Sequence, residues 1–187
     1  MDFKCVRDCS KCCIERDYYP SIKYGKVGVL ILPEEREKIE SFAREYDLNI
    51  TILPRIGISF EESSGPTKIL AYQLMGKESN GNTCPFLDIE SSERSPHGGY
   101  NCKIYLNRPL ACRAYPLIES SPLNLDSKCK FCESCSTVPE NMNQELESLA
   151  KIKRKMVNRA PFVWRYATGI GDKSNHDKIE TGWFLET

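Results

Sequence analysis

Four cysteines, Cys5, Cys9, Cys12 and Cys13, stand within nine residues near the start of the chain, and six more follow at Cys84, Cys102, Cys112, Cys129, Cys132 and Cys135. A hydrophobic core has no need of thiols packed this closely, because Val or Ala would fill the same space. Short intervals do bring several soft thiolates around one ion or cluster at little loop-closure cost. The chain is therefore expected to be organised around a thiolate-bound metal centre, with enough sulfur for two.

The remaining composition narrows the setting. With 187 residues the chain has the length of a domain with an appended segment, and it can fold without covalent staples. Its 26 basic and 26 acidic residues cancel, which removes a global electrostatic case for nucleic acid or an anionic membrane surface. No apolar run reaches the length of a membrane span, and the N-terminal residues lack the apolar stretch of an export signal. The expectation is a cytoplasmic protein with no nucleic-acid or membrane partner. Ten cysteines also form an even number, so a disulfide framework is the alternative; clustered spacing and the missing export signal argue against it. The two histidines, His97 and His176, show no ligand-like spacing from a cysteine. Sulfur, or sulfur with a carboxylate, is the expected ligand set; Asp8 and Asp88 could supply a carboxylate, but lone acids near cysteines are far more often solvated.

Periodicity predicts a small, loop-rich α+β fold with a few short strands and two main helices, ordered by metal. Residues 1–138 read as a cysteine-cluster domain, and 139–187 as a C-terminal helix and aromatic tail that packs on it or on a partner. Strands are expected over Lys26–Leu32, within 50–60 and over Lys68–Leu74, with a short one over Tyr100–Leu106 carrying Cys102. Pro33-Glu34-Glu35 opens a helix whose stripe is Ile39, Phe42, Ala43 and Tyr46. Arg108 to Pro116 suits a single helical turn between prolines. Pro139 opens the second long helix, with Met142, Leu146, Leu149, Ile152 and Met156 on one face. Its basic end, Lys151 to Lys155, complements the negative helix terminus and reads as a solvated cap.

The strongest isolated motif is Cys129-x2-Cys132-x2-Cys135. Three thiolates at this interval can hold three corners of a 4Fe–4S cube, and the fourth often comes from a cysteine followed by proline, the form of Cys84-Pro85. A zinc knuckle would use the same thiolates tetrahedrally, although structural zinc more often takes two C-x2-C pairs. In the N-terminal group Cys5, Cys9 and Cys12 can converge. Cys12 and Cys13 are adjacent, so their side chains are expected to diverge.

The N-terminal group, Cys84-Pro85-Phe86-Leu87, Cys102-Lys103-Ile104-Tyr105 and Arg108-Pro109-Leu110-Ala111-Cys112-Arg113-Ala114-Tyr115-Pro116 together resemble the YkgJ-like cysteine-cluster family. That family is associated with zinc or iron chelation and a C-x2-C-x2-C-C signature; here the first interval is three residues. The resemblance covers about residues 1–120 and implies a metal-binding set of Cys5, Cys9, Cys12, Cys13, Cys84, Cys102 and Cys112. Flagellin lysine methylases are among the proteins similar to this family. Cys129, Cys132 and Cys135 add thiolates beyond the signature. Arg108 and Arg113 bracket Cys112, and cations beside bound sulfur would offset thiolate charge and raise a reduction potential.

Three functions follow as expectations. The first is a 4Fe–4S protein, with one cluster or two, that transfers electrons or serves as the cluster-bearing subunit of a redox enzyme or complex. The second, implied by the resemblance, is protein-lysine methyl transfer, although no G-x-G-x-x-G loop or nucleophile–base arrangement is present. The third is a structural zinc module for protein contact; balanced charge speaks against nucleic acid.

Overall fold

The computed structural model describes residues 5–14, 23–77, 83–129, 141–170 and 180–186. In chain order its elements begin with α1 (Lys11–Ile14), β1 (Val29–Ile31), α2 (Pro33–Glu45), β2 (Ile52–Ser59) and β3 (Lys68–Leu74). Then come β4 (Leu87–Asp88), β5 (Asn101–Cys102), α3 (Leu110–Ala114), β6 (Leu117–Ser120) and β7 (Leu123–Leu125). α4 (Asn143–Met156), β8 (Phe162–Thr168) and β9 (Thr181–Leu185) complete the mixed α+β architecture. Five strands form an antiparallel sheet in the order β1-β3-β2-β8-β9; β4-β5 and β6-β7 are separate two-stranded ribbons.

The β-branched residues of β2, Ile52, Ile56 and Ile58, suit a pleated, half-buried surface. Pro54 cannot donate to the ladder, and the register between β2 and β3 shifts next to it. Gln73 on β3, almost fully buried, reconciles the break. Its amide donates to the Pro54 carbonyl at 2.8 Å and accepts from the Gly28 N–H at 2.9 Å. At the other end of β2, the buried Trp164 indole of β8 donates to Ser59 Oγ at 2.9 Å. The aromatic tail predicted after Pro161 is thus two strands, and β8 pairs directly with β2.

α2 begins where the proline and acids place it. Glu35 accepts the Leu32 N–H at 2.9 Å, capping its own helix, and with its other oxygen accepts the Leu110 N–H at 2.8 Å. One carboxylate therefore holds the starts of α2 and α3 together. Glu35→Ala removes both acceptors and should destabilise the protein by about 1–3 kcal/mol, at roughly 1 kcal/mol per net hydrogen bond plus the cap. Glu35→Gln, which keeps an acceptor, should recover at least half of the loss in a denaturant titration. An equal loss in both variants would contradict the double-cap role.

Two apolar clusters support the molecule. Ile31, Ile39, Ala43, Leu74, Phe86 and Ile104 pack beneath the sheet and α2, with Cys84 buried among them. Ala114, Leu117, Met142 and Leu149 join α3, β6 and α4. The predicted stripe of the second helix is thus core-facing at Leu146, Leu149 and Ile152, while the helix itself starts at Asn143, and Pro139 lies outside the described residues. Its basic end is exposed but paired: Lys151 with Glu147 at 2.7 Å, Lys155 with Glu34 at 2.8 Å, and Lys153 with Glu119 of β6.

The Lys153 ammonium, followed by the Ser120 N–H, holds the Glu119 carboxyl down to about 2 from its ordinary 4.5. A depressed folded-state pKa stabilises fully above the unfolded value, and that contribution disappears as pH falls from 4.5 to about 2. Over that window, amide exchange in the 117–125 ribbon, corrected for intrinsic rates, should accelerate relative to α2. Glu119→Gln should flatten the dependence; an unaltered dependence in that variant would exclude Glu119 as its source.

Candidate metal centre

The N-terminal cysteine loop is docked by backbone bonds onto the turn around residues 95–100. Cys5 N–H donates to the His97 carbonyl at 2.8 Å, Asp8 N–H to Gly98 at 3.0 Å, and Tyr100 N–H to Cys9 at 3.2 Å. Ser10 adds a second stitch: its hydroxyl donates to the Cys9 carbonyl at 2.6 Å and accepts the Tyr100 N–H at 3.1 Å. The approach is so close that a Cβ on Gly99 would stand 2.3 Å from the Cys9 carbonyl oxygen. Gly98, at φ +99°, occupies backbone space that other residues rarely enter. Arg94 completes the dock, pairing with Asp8 while its guanidinium lies 4.8 Å from the Tyr100 ring centre. That guanidinium holds the exposed Asp8 carboxyl below its ordinary range.

Beyond this dock lies a cavity of about 500 Å³ with five thiols on its wall: Cys12, Cys13, Cys84, Cys102 and Cys112. Four of them are fixed through their backbone N–H groups. Cys13 N–H donates to the Ser10 carbonyl at 2.7 Å, and Cys84 N–H to the Cys13 carbonyl at 2.7 Å, so two distant cysteines meet directly. Cys102 N–H donates to Ser95 Oγ at 2.9 Å, and Cys112 N–H to the Pro109 carbonyl at 2.9 Å. Lys103 N–H donates to the Phe86 carbonyl, which bends the chain after Cys102. The strand predicted over Tyr100–Leu106 is therefore two residues long and passes into a 3-10 turn at Tyr105–Asn107. The adjacent pair does not diverge into different surroundings. Cys12 and Cys13 both face this cavity from α1, with their sulfurs 4.0 Å apart.

A second thiol group sits beside the first. Cys5 is hydrogen-bonded through its side chain to Cys9 and feels the charge of Cys129. Burial, then the neighbouring Cys9 and Cys129, push the Cys5 thiol up to about 12. Cys9 and Cys129 are buried, at 9% and 5% exposure. Cys132 and Cys135 lie outside the described residues. Cys84 thus stands with the cavity thiols, and Cys129 with Cys5 and Cys9. None of the eight described cysteines forms a disulfide.

Charge around the cavity is one-sided. Arg55, Arg108 and Lys128 are on its wall, and no Asp or Glu is among its lining residues. Arg108 lies 4.0 Å over the Tyr105 ring centre and donates to the Tyr105 carbonyl at 3.0 Å. Arg113 is exposed and turned away, donating to the carbonyls of Arg108 at 2.9 Å and Leu106 at 3.2 Å. The two acids near cysteines have structural partners: Asp8 pairs with Arg94, and Asp88 accepts the N–H groups of Glu90 and Ser91.

His97 is the residue that spacing did not reveal. It lines the cavity, its ring stacks on Tyr105 at 5.2 Å and 13°, and its Nδ1 is buried with no hydrogen-bond partner. Such an orphaned group costs about 1–3 kcal/mol. Burial, and then the charge of Arg108, lower its pKa to about 4, so the imidazole is neutral at pH 7. Only a motif centred on Ser95-Pro96-His97-Gly98-Gly99 could have flagged it, and that turn carries no metal-ligand interval.

Donor chemistry fits a thiophilic metal. Five cysteines line one void, the cationic Arg55, Arg108 and Lys128 stand on the same wall where they would offset thiolate charge, and Phe86, Leu87 and Ile104 keep the wall apolar. Among the described residues no three His, Cys, Asp or Glu side chains converge tightly enough to grip a single ion. No helix among the described residues is long and apolar enough to cross a membrane.

Comparison with curated proteins gives no match. Comparison with solved structures gives none either. A family model, CxxCxxCC, described as "Putative zinc- or iron-chelating domain", matches residues 4–132, which takes in every cysteine except Cys135. That match spans well over half of the chain, and the protein belongs to the CxxCxxCC family of cysteine-rich, zinc- or iron-chelating domains.

Proposed function

We propose that the cavity holds an iron–sulfur cluster of the 4Fe–4S type and that the protein acts in electron transfer, as a carrier or as the cluster-bearing subunit of a redox assembly. The observation that carries this reading is five thiols spread around one void of about 500 Å³. A structural zinc site needs four ligands converging at bond distance on one point, whereas a cluster accepts thiolates distributed around its corners. A bound cluster would supply one-electron chemistry. The protein's own part is to fix the sulfurs through the dock at residues 95–100, make the wall apolar with Phe86 and Ile104, and offset thiolate charge with Arg55, Arg108 and Lys128. Cys5, Cys9 and Cys129 form the start of a second thiolate site that shares the same dock. A protein redox partner is part of this proposal.

Metal analysis of anaerobically purified protein tests it. The expected result is iron with acid-labile sulfide and broad visible absorbance that bleaches on reduction. Colourless protein with stoichiometric zinc and no sulfide would replace the cluster by a zinc site.

A further inference from the structure

The cavity is larger than a metal centre requires. With every atom of a 4Fe–4S cube counted at a water's share of about 30 Å³, roughly half of its 500 Å³ is left over. Its wall also divides by origin. The cysteines arrive on α1, on β5, on α3 and at Cys84, whereas the sheet side contributes Val27, Gly28, Val29, Leu30, Arg55 and Leu74 and brings no thiol. Arg55 falls at the register shift between Pro54 and Ile56, with no paired residue in either ladder flanking β2. A bulge of this kind re-aims the side chain it carries and recurs beside active sites. The half-buried Arg55 side chain reaches from β2 to the Gly28 carbonyl, beyond β3 in the strand order, and donates to it at 3.2 Å. Gly28 is itself pinned, since its N–H is held by Gln73 at 2.9 Å and a Cβ there would stand 2.2 Å from the Leu74 carbonyl oxygen. One guanidinium is thus fixed on a stretch of wall whose other members are apolar.

We propose that this stretch of the cavity binds a small organic anion, an apolar body ending in a carboxylate or phosphate group, with Arg55 holding the oxyanion. The proposal starts from the metal-centre reading above, because it assigns the space that the metal leaves. Guanidinium matches both oxyanions through paired N–H donors. Arg108 and Lys128 stand on the same cavity, and no Asp or Glu is among its described lining residues. With thiolate charge taken up by the metal, the field there favours a negative ligand. Val29, Leu30 and Leu74 offer cover for the apolar body. An apolar wall with a few placed polar groups, in a volume of about 300–1,000 Å³, is the usual form of a small-molecule site.

The test is calorimetry on the full-length chain, purified anaerobically and with its metal content measured, using phenylacetate, phenyl phosphate, acetate and the neutral phenylacetamide. Saturable binding of phenylacetate or phenyl phosphate is expected, at least about 10-fold tighter than that of acetate or the amide. The tighter of the two identifies the oxyanion. Arg55→Gln should weaken this binding by about 10–100-fold, the worth of hydrogen bonds to a charged group. Arg159→Gln removes an exposed positive charge elsewhere and should leave it unaltered. Acetate or amide binding as tightly as the apolar anions, or no anion binding by metal-loaded protein, overturns the proposal and leaves the metal centre standing. Equal weakening by the two variants reduces the effect to net charge and overturns it too. Anion binding by protein that takes up no metal supports the ligand site and removes the metal centre; binding of neither removes both. The comparison of acid with amide on unaltered protein decides the point even if Arg55→Gln does not fold.

Discussion

Replacing Gly99 with alanine is expected to unseat the N-terminal cysteine loop. A Cβ there would lie 2.3 Å from the Cys9 carbonyl oxygen, 3.0 Å from His97 Nε2 and 3.1 Å from Ser10 Oγ. The first contact is with backbone that is itself hydrogen-bonded to Tyr100, so it has no flexible end to swing aside. Overpacking of this kind costs about 1–3 kcal/mol or more. At about 2–4 °C per kcal/mol for a chain of this size, the midpoint of thermal unfolding should drop by about 2–12 °C. Metal content should fall with it, because Cys9, Cys12 and Cys13 ride on the displaced loop. Gly65→Ala is the matched control: nothing lies within 4 Å of its added Cβ, and the effect should stay within about 0.5 kcal/mol. Equal behaviour of the two variants would mean that the close approach at Gly99 is not a constraint.

Stripping the metal should have the larger effect. Under reducing, anaerobic conditions a chelator leaves several thiols lining a void, carried for the most part on loops, two-residue strands and the short helices α1 and α3. A ligand held at about a thousand times its Kd stabilises by about 4 kcal/mol, which corresponds to about 8–16 °C in the unfolding midpoint. Loss of amide protection should concentrate in residues 5–14 and 83–112, where the ribbon β4-β5 and the short helices α1 and α3 depend on the site. The sheet β1-β3-β2-β8 should keep its protection, since its strands are joined by their own ladders. An unchanged midpoint after verified metal loss would show that the loops are self-supporting.

The parts legible in the sequence are those governed by local chemistry. Pro33-Glu34-Glu35 announces α2, the stripe from Leu146 to Ile152 announces α4, β-branched residues announce β2, and the apolar run from Ile69 to Tyr72 announces β3. Even the helical turn carrying Cys112, bracketed by Pro109 and Pro116, is readable. What escaped depends on distant partners. β8 and β9 carry Trp164, Tyr166 and Phe184 on a polar background; β8 pairs with β2, about a hundred residues earlier, and β9 pairs in turn with β8. The β6-β7 ribbon is too short for its alternation to rise above the surrounding loop. In the site, cysteine spacing marked the thiols but not their grouping. That grouping follows from the bond between Cys84 and Cys13 and from the dock on residues 95–100, neither of which has a local signature. Asp88 and Arg113 each lie near a cysteine in sequence, and each satisfies backbone groups nearby.

The placement of β2 between β3 and β8 has a consequence for the protein during synthesis. When the last cavity cysteine, Cys112, has left the ribosome, β8 has not yet been made, and β2 presents an open row of peptide groups with Trp164 still missing from Ser59. An unpaired edge of this kind invites pairing with other chains. Premature termination between Cys112 and Phe162 would therefore yield a nascent product rich in thiols but prone to aggregate, and C-terminal tags or fusions are the safer choice for producing this protein only if they leave β8 and β9 free to close the sheet.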